Sequence, residues 1–117
     1  MKFYLVDGTF KEGMPKGPAF QEALKAHHAY WAPHMQAGKV LFSGPKTSGA
    51  GLLVLKCSDA EEVQKLIEAD PFVTGGVAVF KVSEFNPFYK FPAAAQWFGE
   101  ESEKPYFGRC SPILLYS

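Results

Sequence analysis

Among the residues able to move a proton, His27 and Asp70 stand where they could act together. Residues Ser58 to Ala69 read as a helix that runs into Asp70, followed at once by Pro71 and Phe72. At helical spacing Val63, Leu66, Ile67 and Asp70 share one face, so an apolar stripe ends on a carboxylate turned toward the core. Pro71 disfavours the α conformation at the residue before it, which puts Asp70 at the helix's C-terminal end. The macrodipole there repels a carboxylate, and a buried acid in that position requires a partner. All three histidines lie on an earlier helical stretch. At about 100° per residue, His27 falls beside Trp31 on one edge of the buried stripe. His34 lies two turns further along that edge, and His28 falls on the opposite edge, nearer solvent. His27 is the natural partner for Asp70. A carboxylate that hydrogen-bonds one ring nitrogen fixes the tautomer, the arrangement that a general base or proton shuttle requires. A plainer reading stands beside it: Asp-Pro starts turns, and Asp70 can cap its own. A lone histidine on a helix edge is commonly a satisfied core residue.

Other chemistries find less support. His27 and His34 are about 10 Å apart along a helix axis, too far to share one metal ion, and neither cysteine is placed to complete a site. No metal is expected. Lys46-Thr47 and Gly49-Ala50-Gly51 are in the wrong order for a phosphate loop and read as a hairpin turn. No G-x-S-x-G elbow or nucleotide signature occurs, so no cofactor is expected. Cys57 and Cys110 lack CxxC spacing and are expected as free thiols. Twelve basic residues balance twelve acidic ones, which argues against nucleic acid or an anionic membrane as partner. No apolar run is long enough to span a bilayer, and the first residues lack a signal peptide's pattern. The cytoplasm is the expected compartment.

These residues need elements to position them. Phe3 to Val6 read as a strand, followed by a Gly/Pro-rich loop. From about Ala19, Phe20, Leu24, Trp31 and Met35 make an amphipathic helical stripe that ends before Gly38. Pro33 should kink or restart its last turn. Val40 to Ser43, closed by Gly44-Pro45, and Leu52 to Lys56 are the next strands. Ser58 and Glu61 then form a capping box at the start of the second helix. Gly75-Gly76 turn the chain into a last strand from Val77 to Val82, extended toward Phe85. The order β-α-β-β-α-β predicts an α+β, ferredoxin-like sandwich with two helices on one side of four antiparallel strands. The strands are apolar at successive residues, so both sheet faces want cover, and two helices cover only one. A homodimer follows as the expectation. Residues 92–117, rich in proline and aromatics, are expected as an arm over the body or the partner, with a helical turn at Ala93–Phe98 and a short strand at Ile113–Tyr116.

Taken in order, Ala26-His27, Gly38, Leu41-Phe42-Ser43-Gly44-Pro45, Ala69-Asp70-Pro71-Phe72 and Gly76-Val77 resemble the YciI-like (YCII-domain) family. The resemblance covers most of residues 1–91. It implies a ferredoxin-like fold and a dimer of the dimeric α/β-barrel type, with a histidine–aspartate active site that falls on His27 and Asp70. One branch of that family removes HCl from a chlorinated hydroxyquinone, and the fold is similar to that of muconolactone isomerases. The reaction implied is cofactor-independent proton transfer, of lyase or isomerase type, on a small aromatic or lactone-like substrate. Trp31, Ser43, Gly44, Pro45 and Phe72 are the candidate substrate-binding residues, with Trp31 and Phe72 as apolar walls and the Ser43 hydroxyl orienting a substrate oxygen. Ordinary core packing is the alternative for each. The other function open to the chain is a non-catalytic ligand-binding or interaction module on the same dimer.

Overall fold

Burial alternates along the first strand, β1 (Lys2–Phe10), with Tyr4, Val6 and Gly8 buried and their neighbours less so. The computed structural model describes residues 1–99 of the chain. A helix, α1 (Pro18–Gln36), follows β1, and then come two strands, β2 (Val40–Pro45) and β3 (Gly51–Cys57). A second helix, α2 (Ala60–Glu68), leads through a short third one, α3 (Pro71–Thr74), into the last strand, β4 (Ala78–Phe85). The strands lie in the order β2-β3-β1-β4, and every neighbouring pair is antiparallel. This is the ferredoxin-like α+β arrangement that the element order predicts. Residues Met1–Phe85 form one compact unit, and a second begins at Asn86. In the second unit, Pro92–Ala94 make a single 3-10 turn where a turn over Ala93–Phe98 was expected. Cys110 and the expected strand at Ile113–Tyr116 lie outside the described residues.

Register decides which residues meet. Tyr4 pairs with Leu55 and Val6 with Leu53, and Cys57 continues the same face of β3. Val63 and Ile67 of α2 and Trp31 of α1 close over that face to make the main core. Cys57 is a free, fully buried thiol in this core, and burial pushes its pKa up to about 11. The opposite face carries Phe3, Leu5, Val54 and Phe42 in register, with Val79 at the far end of β4. Phe42 and Val79 are 55% and 53% exposed, so this face bears uncovered apolar surface. No helix among the described residues is long and apolar enough to cross a membrane.

Three local expectations are corrected. The α2 cap is Asp59, whose Oδ1 accepts from the Glu62 N–H at 2.9 Å. Ser58 and Glu61 do not form the box; Glu62 instead turns back to accept from both the N–H and the hydroxyl of Ser58. Secondly, α1 runs on through Pro33 to Gln36 without a restart. Ala29 and Pro33 lie on the exposed side, so the carbonyl that loses its helical donor faces water. Thirdly, the helix expected to end at Asp70 stops at Glu68, and Asp70 begins another.

Candidate active site

The site is built where α1 crosses the junction of α2 and α3. Pro71 holds Asp70 extended (φ −66°, ψ 129°), which stops α2 and lets the Asp70 side chain cap α3. Its Oδ1 accepts from the Phe72 N–H at 2.8 Å, and its backbone carbonyl accepts from Val73 and Thr74 at 2.8 and 3.0 Å. Asp70 thus stands at the start of a helix, not at the unfavourable end assigned from sequence. The turn-starting role and the partnered role are held by the same carboxylate. Asp70 is fully buried.

From α1, His27 Nδ1 lies 2.8 and 3.0 Å from the two Asp70 oxygens, and Trp31 Nε1–H donates to Oδ2 at 2.9 Å. One helical turn separates the two residues, so both reach the same carboxylate from one face of α1. The Phe72 ring stacks on the His27 imidazole, with centroids 4.0 Å apart and planes within 9°. Tyr30 ties the same stretch of α1 to α2 by donating its hydroxyl to the Leu66 carbonyl at 2.7 Å. Burial, and then the Asp70 charge, raise the Tyr30 pKa. With Nδ1 turned to Asp70, Nε2 is the ring nitrogen left for a ligand. The His27 side chain is 19% exposed.

His27 opens onto a cavity of about 680 Å³. One wall is the α1 stripe of Phe20, Leu24, His27, His28, Trp31 and Met35, and the facing wall is the β2–β3 hairpin with Ser43, Gly44, Pro45, Ala50 and Gly51. Phe10, Leu53, Phe72 and Phe80 complete it. The Phe80 ring lies so close over Gly8 that a Cβ there would be 2.7 Å from Cε1, which is why that strand position has no side chain. Apolar side chains and backbone dominate the lining. Lys46 lines the hairpin side, but its ammonium pairs with Asp7 Oδ1 at 2.7 Å. Asp7 alternates with buried Val6 and so points to the opposite sheet face, drawing that charge away from the cavity. Among the described residues no group of three His, Cys, Asp or Glu side chains gathers to hold a metal.

The seven candidate site residues lie together here. His27, Trp31, Ser43, Gly44, Pro45 and Phe72 line the cavity, and Asp70 sits behind His27. The α1 stripe is a cavity wall more than core: Trp31 is its one buried member, and Met35 is 45% exposed. His28, read as a surface residue, is exposed yet lines the rim, its ring 5.6 Å from that of His27. His34, also read as surface, is half-buried with its ring 5.5 Å from that of Trp31. Phe10 and Phe80 carry no sequence signal of their own, because a cavity-facing aromatic and a core aromatic share the same strand pattern.

The YCII-related domain family model matches residues 3–86. A search of curated proteins finds no significant match. Among solved structures the chain is similar to 5-chloro-2-hydroxyhydroquinone dehydrochlorinase (TftG) from Burkholderia phenoliruptrix AC1100, determined in complex with 2,5-dihydroxybenzoquinone. The two are 21% identical with a TM-score of 0.58 over 72% of this chain and 93% of that one, a likeness of fold. The family match takes in all four strands but for Lys2 and all of α1, α2 and α3, and the chain belongs to the YCII-related domain family.

Proposed function

We propose that this protein is a small cofactor-independent enzyme, of lyase or isomerase type, in which His27 moves a proton on a small aromatic or lactone-like substrate. The observation that carries the reading is the hydrogen bond from His27 Nδ1 to buried Asp70 at the wall of an apolar cavity. With its proton on Nδ1, the imidazole offers the Nε2 lone pair to an acidic C–H or O–H of the substrate. The imidazolium that forms is held by the Asp70 carboxylate. The proton then returns to a different atom of the substrate in an isomerisation, or leaves to water as a halide departs in an elimination. Phe20, Leu24, Trp31 and Phe72 keep water from the reacting atoms, and the Ser43 hydroxyl orients a substrate oxygen. The fold likeness to a dehydrochlorinase supports the lyase class.

The alternative, a binding module in which His27 is only structural, calls for a histidine sealed from ligand. The partial exposure of His27 on the cavity wall favours the enzyme. The reading includes a homodimer joined through the uncovered sheet face. Screening of small chlorinated phenols and lactones provides the test. His27→Ala is expected to lower kcat/KM by at least about 100-fold, within the range of a lost general base, while circular dichroism stays native. Full activity in that variant overturns the proposal.

A further inference from the structure

The ionisable side chains that line the cavity are His27, His28 and Lys46, and all three are bases. Two are already committed, His27 to Asp70 and Lys46 to Asp7. Among the described residues His28 has neither a hydrogen bond nor an ion pair, and its ring lies 5.6 Å from that of His27. It stands exposed at the rim, so a charged group paired with it keeps part of its water. Charge sorts the ligands that such a lining can take. A cationic one finds no carboxylate among the described lining residues, because Asp70 lies behind His27 with both oxygens bonded. A wholly neutral one gains from the aromatic interior and leaves His28 unused. An anion gains from both, since its charge draws a proton onto an imidazole beside it.

We propose that His28 is a binding residue for a carboxylate carried on the substrate's ring: the carboxylate rests at the rim against the His28 imidazolium, and the ring lies inside against Phe10, Phe20, Phe72 and Phe80. The inference rests on the reading of the cavity as the substrate's place and deepens it, naming the substrate as a small ring acid. The division of labour between the two histidines has a chemical reason. His27 needs a free Nε2 lone pair to take a proton, and a carboxylate bound directly to it would hold it protonated. A carboxylate on His28 leaves that lone pair free, and its place at the rim avoids the cost of burying the charge. The surroundings of His28 offer no rival anion. Its own helix supplies His27 and, one turn earlier, exposed Lys25; the β2–β3 hairpin supplies Lys46; the α2–α3 junction supplies Asp70, already taken up by its three donors. From α3, β1 and β4 the lining receives only Phe72, Phe10 and Phe80.

Calorimetry with para-toluate and its uncharged counterpart para-toluamide, on the full chain at about pH 5.5 and about pH 8, tests this without any turnover. Binding an anion favours the protonated imidazole, so affinity rises as pH falls through the range where histidine titrates, while the toluate carboxyl, titrating near about 4, stays ionised. Toluate is expected to bind about fivefold more tightly at the lower pH, the worth of one partly exposed ion pair, and to take up a proton as it binds. Toluamide should change by less than about twofold. His28→Gln is expected to flatten the toluate response to within about twofold, with circular dichroism unchanged because the side chain is exposed. A flat toluate affinity in the wild type, a slope that survives in His28→Gln, a toluamide affinity that follows the same slope, or no binding of toluate at either pH overturns the proposal. Full turnover in His27→Ala would remove the base and leave this binding intact. A flat toluate affinity with His27 still required for turnover would remove the His28 site and leave the base.

Discussion

The three N–H groups that end on Asp70 come from the middle of α1, from one turn further along it, and from the backbone of α3. Removing the carboxylate leaves all three without their acceptor, two of them deep in the protein. Asp70→Ala is therefore expected to lose about 3 kcal/mol of stability, read from the urea midpoint. The Tyr4 hydroxyl is the counter-example, for it is buried with no hydrogen-bond partner among the described residues. Tyr4→Phe should cost nothing, and a loss as large as that of Asp70→Ala would show an unseen partner for the hydroxyl. The oddity of Asp70 is visible in the chain as an acid on an apolar stripe before proline. That Trp31 joins it is not visible, since a tryptophan on a buried helical face has the same spacing whether its indole nitrogen bonds or only packs.

The start of α2 shows how local pattern can be right in kind and wrong in register. Ser58, Asp59, Glu61 and Glu62 offer two overlapping boxes, Ser58 with Glu61 and Asp59 with Glu62. Only half of the second forms: Asp59 caps the Glu62 N–H, while the Glu62 carboxylate accepts from Ser58 through Oε1 and from Lys39, which precedes β2, through Oε2 at 2.6 Å. This lysine, together with the two Ser58 donors, holds the Glu62 carboxyl at about 2, below its ordinary 4.5. A depressed carboxyl stabilises the fold above its ordinary value and loses that contribution as pH falls from about 4.5 to about 2. Glu62→Gln should thus flatten the acid limb of stability against pH in that window, and salt should do so in part because the pair is partly exposed. An unaltered acid limb in the variant would deny the network any role. The same kind of limit applies to α3, whose four residues are too few for periodicity, so that the sequence pattern puts Asp70 at an end when it is a beginning.

Within Met1–Phe85 the sheet has one face under helices and one without. On the second, Phe3, Leu5, Val54 and Phe42 lie in neighbouring register positions, and the exposure of Phe42 and Val79 leaves apolar surface to be buried. The proposed homodimer uses this surface. Sedimentation of the wild-type chain should show a dimer, and Phe42→Asp should shift it toward monomer by placing a charge on the β2 edge of the patch. A wild-type monomer at micromolar concentration would remove the dimer from the proposed function. Successive apolar residues in the strands made the need for cover legible, because a strand buried on one face alone alternates.

The order of the strands and the two longer helices and the antiparallel sheet were determined by the chain taken by itself, whereas spacing offered the pairing of His27 with Asp70 only beside a turn-starting role for the acid. They depend on periodicity and on proline, which act within a few residues and leave a mark in the string. The cavity was decided only in three dimensions. Whether Phe20, Leu24 and Met35 fill a core or wall a pocket depends on how far the β2–β3 hairpin stands from α1, and no local spacing encodes that distance.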